Sequence, residues 1–149
     1  MQNSGHAIVV DTSVIVKFLV KEPDSANANA LFERMRSGAV KLIAPDFVFI
    51  ELTNTLWRKT RQGELAETEA KEKLSEFLAI APSLEVVAVA AFLPETLRLA
   101  LLYAHAAYDA AFLALAESRG VRFVTADQKF YSKVRRYAQV LLLRDLPTA

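Results

Sequence analysis

The chain of 149 residues contains no cysteine. Disulfides, thiolate nucleophiles and cysteine-held zinc or iron–sulfur centres are therefore excluded together. Histidine is nearly as scarce, at two residues, so a histidine-rich metal site is not expected. Any metal should be a hard cation held by carboxylates. Glycine (4) and proline (5) are too few for a collagen-like or linker-dominated design. Neither sign of charge is in excess: 18 basic and 17 acidic residues leave +1. That total is silent about nucleic acid, and only the placement of the charges can speak. No basic segment followed by a long apolar run opens the chain, so no signal peptide is expected. The most apolar stretch, Leu99–Ala116, carries Tyr103, His105, Tyr108 and Asp109. It reads as a buried helix, not a membrane span. A cytoplasmic location is the default expectation.

What is present is a globular composition, 53% hydrophobic and 23% charged, at a length that suits one domain over residues 1–149. Short apolar runs alternate with helical patterns throughout. Strands are expected at Ala7–Val10, Lys41–Ala44, Leu84–Val89, Val121–Thr125 and Gln139–Leu143. Helices are expected at Ser13–Val20, Ser25–Ser37, from Pro45-Asp46 to about Arg61, Glu67–Ile80, Pro94–Ala104, Tyr108–Arg119 and Asp127–Arg136. Gly38, Gly63 and Gly120 follow helical stretches as stop signals. The strands are continuous apolar runs, the mark of parallel strands buried on both faces. Strands separated by helices imply right-handed crossovers and a three-layer α/β/α sandwich around a mainly parallel sheet. Sites in such sheets form beyond the carboxyl ends of the strands.

Four acids fall where such a site would form. Asp11 follows the first strand, and Asp127 follows the fourth by two residues. Each is also a natural helix N-cap. Glu51 lies within a helix, with Phe47 and Val48 one turn before it and Asn54 and Thr55 one turn after. It reads either as an exposed helix glutamate or as a carboxylate with a partner. Asp109 is the only formally charged residue between Arg98 and Glu117. A first-turn acid favoured by the helix dipole is its alternative reading. Carboxylates gathered at one point repel and need a cation. Magnesium or manganese suits such a cluster, and paired ions of this kind cleave phosphodiesters with activated water. Thr12, Ser13, Asn54 and Thr125 stand close in sequence to the acids and could support the same centre.

The runs Val-Val-Asp11-Thr12-Ser13, Glu51-Leu-Thr-Asn54-Thr-Leu56, Tyr108-Asp109-Ala110 with Leu113-Ala114-Leu115-Ala116, and Thr125-Ala126-Asp127 together resemble, in order and spacing, the motifs of PIN domains, the nuclease fold of VapC-type toxins. The resemblance spans nearly the whole chain. It implies a metal-dependent endoribonuclease using Mg2+ or Mn2+, with Asp11, Glu51, Asp109 and Asp127 as catalytic and metal-holding acids. It also implies products with a 5′ phosphate and a 3′ hydroxyl, a homodimer, and inhibition by a cognate antitoxin. One departure is visible: Ala106 and Ala107 stand where many relatives have a serine before the Asp109 helix.

Other residues carry two readings. His105, one turn before Asp109, reads as a helix-end or surface residue, with a partner of Asp109 or a substrate contact as the alternative. Trp57, Phe47 and Phe49 read as core or dimer packing, with base stacking as the alternative. Lys129, Lys133, Arg135 and Arg136, with Arg58, Lys59 and Arg61, are either solvated faces or phosphate contacts. Ala28, Leu31, Phe32 and Met35 form an amphipathic stripe explained by core packing; the resemblance adds that neighbouring helices form a groove for an antitoxin segment. It further suggests that the antitoxin supplies a basic side chain to the acids.

Competing functions are a PIN nuclease for RNA processing without an antitoxin, and a catalytically silent PIN-like binding module. A receiver-like domain would want paired acids after the first strand, and a haloacid-dehalogenase-like phosphatase would want a second Asp at the Ser13 position.

Overall fold

A computed structural model describes residues 6–137 and 139–149. The opening residues that bear on a signal peptide lie mostly outside the described residues. Five strands form the sheet: β1 (Ala7–Val10), β2 (Lys41–Pro45), β3 (Glu85–Val87), β4 (Arg122–Thr125) and β5 (Val140–Leu142), in the order β3-β2-β1-β4-β5. Every pairing is parallel, as the continuous apolar runs require. Val9, Val10, Leu42, Ile43, Phe123 and Val124 are all buried, so the central strands have no solvent face.

Helices cover both faces. One group is α1 (Thr12–Leu19), α2 (Ser25–Arg36), α3 (Val48–Arg61) and α4 (Glu67–Ile80), which pack on one another. The other is α5 (Leu93–Tyr103) and α6 (Ala107–Arg119), with α6 laid against β1, β2 and β4. A short α7 (Gln128–Val134) packs on β5. The three-layer α/β/α reading therefore holds. Ala28, Leu31, Phe32 and Met35 of α2 are all buried, so that stripe is core.

Two of the boundaries that differ from the sequence expectation share one tertiary cause. The third strand stops at Val87, two residues early, and the third helix starts at Val48 instead of Pro45-Asp46. One residue accounts for both. The Asp46 N–H donates to the Val87 carbonyl at 2.8 Å, and its carboxylate accepts from the Val89 N–H at 3.2 Å. Asp46 thus ties off the edge strand and cannot open the helix. The apolar stretch Leu99–Ala116 is not one helix. It breaks at Ala104, whose φ of 51° lies in the left-handed region, and α5 and α6 meet at 117°. Among the described residues, no single helix is long and apolar enough to cross a membrane.

Candidate active site

The strand order reverses at β1. From it the chain moves outward through β2 and β3, then returns to place β4 on its other side. Crossovers then leave in opposite directions from β1 and β4, and a crevice opens beyond their carboxyl ends. Val10 pairs with Val124, so Asp11 and Thr125 emerge side by side.

Asp11 is 6% exposed and Thr125 is fully buried. Burying a carboxylate is costly unless it is hydrogen-bonded. Here the hydroxyls of Ser13 and Thr125 both donate to Asp11 in short contacts, and the Val14 N–H donates at 3.3 Å. Asp11 is thus also the N-cap of α1. Ser13 Oγ in turn accepts from the Ala126 N–H at 3.0 Å, stitching α1 to the end of β4. Thr125 Oγ1 accepts from the Asp127 N–H at 3.0 Å, and Asp127 caps α7 by accepting from the Phe130 N–H at 3.0 Å. For both aspartates, capping and site geometry coexist: the cap fixes the carboxylate in place.

The other two acids arrive from helices. Glu51, in the first turn of α3, accepts from the Thr12 hydroxyl at 2.7 Å. Asp109 lies in the first turn of α6, whose N-cap Ala106 makes no side-chain cap. That agrees with the missing serine. Glu51, Asp109 and Asp127 line one cleft of about 450 Å³ together with Thr12, Ser13 and Asn54. Asp11 joins it through Ser13. Asn54 hydrogen-bonds none of the four acids among the described residues.

Electrostatics bind the group together. Burial pushes the Asp11 carboxyl from 3.8 up to about 7, against the Ser13, Thr125 and Val14 hydrogen bonds, which favour its charge; Asp109 adds to the rise. Burial also raises Glu51, opposed by the Thr12 hydrogen bond and assisted by the charge of Asp109. The sequence singled out Asp109 as the acid most isolated among apolar residues. The structure gives that place to Asp11. Residues 110–116 of α6 are core, but Asp109, the residue just before them, is only half-buried and lines the cleft.

His105 is not a mere surface residue. Its Nε2 lies 2.7 Å from Asp109 Oδ2, and its ring rests on Phe130, with centroids 4.7 Å apart. With Nε2 carrying the hydrogen, the ring donates this bond to the carboxylate. The four-residue spacing was the available signal, obscured because His105 lies in the link between α5 and α6 and not on the helix of Asp109. Two further residues of the cleft, Lys17 and Glu22, carried no signal in the sequence reading.

The aromatics divide. Phe47 packs edge-on against Phe112 and Phe49 against Phe77, both at 5.3 Å, as expected for packing. Trp57 is instead exposed, with Arg61 stacked over it at 5.2 Å. The basic residues divide too. Arg58 and Lys59 line the cleft, whereas Lys129, Lys133, Arg135 and Arg136 are exposed outside its lining.

The donor set is entirely hard oxygen, as magnesium and manganese prefer. Among the described residues, no three acidic or imidazole groups stand close enough to grip a single ion. Magnesium is commonly held by one or two carboxylates while keeping several waters, so carboxylates spread around a cleft suit it. The buried Asp11, raised by burial and held charged only by its hydrogen bonds, is the acid a cation would most relieve.

The fold is a parallel sheet with acids brought to its reversal point from two strand ends and two helices. The PIN domain family model matches residues 8–136, and the chain belongs to that family. Within it the chain is similar to Ribonuclease VapC3 of Pyrobaculum aerophilum, 36% identical over 126 residues covering 85% of this chain and 93% of that protein. Two solved structures share the fold. PAE2754, also from Pyrobaculum aerophilum, has a TM-score of 0.68 at 22% identity, over 93% of this chain and 92% of its own. A toxin–antitoxin complex from Klebsiella pneumoniae has a TM-score of 0.59 at 13% identity, over 91% and 97%.

Proposed function

We propose that this protein is an endoribonuclease, the toxin of a toxin–antitoxin pair, hydrolysing RNA phosphodiester bonds with the help of Mg2+ or Mn2+. The observation that carries the reading is the convergence of Asp11, Glu51, Asp109 and Asp127 on one cleft at the sheet's reversal point. The VapC-type similarity supports the reaction class. Bound there, a divalent cation supplies an acidified water and stabilises charge on the phosphoryl oxygens. The chain's own groups do the rest. Ser13 and Thr125 keep the Asp11 carboxylate aimed and hydrogen-bonded. Thr12 fixes Glu51, and His105 fixes Asp109. Any of these carboxylates that is not spent on the cation can accept the proton of the attacking water.

Partners follow from charge and surface. RNA is the substrate. An antitoxin bearing a cationic side chain would neutralise the acids directly. The exposed Ile50 and Trp57 on α3, beside cleft residues Asn54 and Arg58, offer it an apolar foothold. A second copy of the chain is expected on α5, where Leu93, Leu97 and Leu101 are exposed at four-residue intervals.

The test is cleavage of RNA by the purified chain, read by mapping new 5′ ends. Cleavage should stop in excess chelator and return with magnesium or manganese. Undiminished cleavage in chelator would sink the metal-dependent reading.

A further inference from the structure

The cleft that holds the acids also holds cations: Lys17, Arg58 and Lys59. Two of these are engaged. One oxygen of Glu22 meets Lys59 Nζ at 2.5 Å and the other meets Lys17 Nζ at 3.0 Å. Their side chains are 19%, 20% and 15% exposed for Lys17, Glu22 and Lys59, so this is a fixed bridge and not a loose surface pair. It joins α1 to α3 through the intervening loop, which Ser25 Oγ anchors by accepting from the Glu22 N–H at 2.9 Å. Lys59 also meets Glu64 at 3.0 Å. Burial alone would raise the Glu22 carboxyl, yet the two lysines bring it below its ordinary value, as expected of a true ion triad.

Arg58 differs. It lines the same cleft, is exposed, and forms no ion pair among the described residues. A guanidinium beside so many carboxylates, pairing with none of them, contributes little to folding. It stands seven residues after Glu51 on α3, two turns along the same face and about 10 Å down the axis. A cleft rich in carboxylates repels a polyanion, so a nuclease must supply cations that hold the strand beside the acids. The planar fork of arginine matches a phosphate with two parallel hydrogen bonds.

We infer that Arg58, backed by the Lys17–Glu22–Lys59 bridge, binds an RNA phosphate neighbouring the one that is cleaved. The inference rests on the ribonuclease reading and adds a positioning subsite to it. The bridge keeps two ammonium groups in place behind the site. Arg58 makes the direct contact and sets where the strand lies relative to the acids.

The experiment measures binding of a labelled single-stranded oligoribonucleotide in excess chelator across a salt series. Arg58→Ala should weaken binding about tenfold and reduce the slope of log affinity against log salt by about 0.7. Arg58→Lys should restore the slope but not the full affinity. Arg61→Ala, on the same helix but stacked on Trp57 outside the cleft, should leave the slope unchanged. With magnesium or manganese, Arg58→Ala should raise KM while changing kcat little. A wild-type slope and KM in Arg58→Ala would overturn the inference. So would an equal effect from Arg61→Ala, which would mean a diffuse field and not a site. Failure of the wild type to bind RNA in chelator would overturn it as well, since the contact needs no metal. A wild type that binds RNA with this dependence on Arg58 but cleaves none with either metal would instead retire the ribonuclease reading.

Discussion

Two regions of the molecule reverse the usual rule of apolar inside and polar outside. At the ends of β1 and β4, polar groups are buried: Asp11 is 6% exposed and Thr125 not at all. On α5, apolar groups are exposed: Leu97 is 60% and Leu101 74% accessible. The two reversals are resolved differently. Asp11 and Thr125 satisfy each other, with Ser13 and the Val14 N–H completing the set. A buried polar network with its hydrogen bonds made is rigid and specific. The α5 leucines have no such internal solution, since apolar surface is satisfied only by more apolar surface. The first region is therefore a polar network satisfied within one chain. The second, on the proposed reading, is completed by a second copy of the chain. If α5 is the proposed dimer contact, only the first should survive dilution to a monomer.

The largest effect should come from breaking the centre. Changing Asp11, Glu51, Asp109 or Asp127 singly to its amide keeps shape and removes charge. Each should lower RNA cleavage about a thousandfold or more, beyond the roughly 10–100-fold cost of altering an outer-shell partner. Circular dichroism should show a folded protein in every case. Asp127 is the sharpest test, because it caps α7 and an amide also caps helices. An Asp127→Asn protein that cleaved at the wild-type rate would reduce that acid to a cap.

A smaller but still large effect should come from the opposite region. Leu97→Glu with Leu101→Glu should convert a dimer into a monomer in sedimentation, weakening association by roughly a hundredfold or more. Both positions are exposed within the chain, so the monomer's own stability should change by less than about 0.5 kcal/mol. A dimer that persisted would mean that α5 is not the contact surface. A protein that unfolded would mean that α5 is less exposed in solution than the chain alone implies.

How much of each region was legible in the sequence follows from how local its causes are. The sheet was readable because Ala7–Val10 is an unbroken apolar run and Val121–Thr125 a β-branched and aromatic one broken only by Arg122, with an acid close behind each. Glu51 and Asp109 could be read as candidates because one lacks a charged helical face and the other lacks charged neighbours. Which acid is buried was not readable. Asp109 looked the more enclosed because α6 is apolar, but enclosure depends on which turn meets the sheet. The break itself was legible, since separate helices were expected at Pro94–Ala104 and Tyr108–Arg119, but the left-handed backbone of Ala104 was not. Alanine carries no stop signal, and its left-handed backbone costs roughly 1–2 kcal/mol on its own. One local bond and one tertiary bond support it: the His105 N–H closes the end of α5 by donating to the Ala100 carbonyl at 3.1 Å, and Lys133 Nζ donates to the Ala104 carbonyl at 3.3 Å. The pairings of Glu22 with Lys17 and Lys59 join separate elements, and no spacing rule announces the second of them. The exposed α5 stripe was invisible because leucine on a helix says apolar face, not which face is left bare.

The smallest effect is also the most specific to the buried region, and it concerns pH in the absence of metal. Burial raises Asp11 in the folded chain to about 7 from 3.8. Between those values the folded state holds a proton that the unfolded state has released. Stability must therefore fall as pH rises through this window, because the native state binds more protons there. Glu51, also raised by burial, contributes with the same sign. Glu22 acts in the opposite sense, being lowered, and its contribution is lost only as pH falls below the ordinary carboxylate range. In chelator, the wild type should thus melt higher at pH 5 than at pH 8, by about 2–6 °C for an Asp11 contribution of roughly 1–2 kcal/mol. Asp11→Asn cannot take part in this titration and should show a flatter profile. Its two histidines are those of the wild type, so their contribution cancels in the comparison. Added magnesium should raise the wild-type melting temperature at pH 8 more than at pH 5, because the cation binds the charged carboxylate. It should do little to Asp11→Asn. Identical pH profiles for the two proteins would show that Asp11 stays ionised in the folded chain, its three hydrogen bonds outweighing its burial.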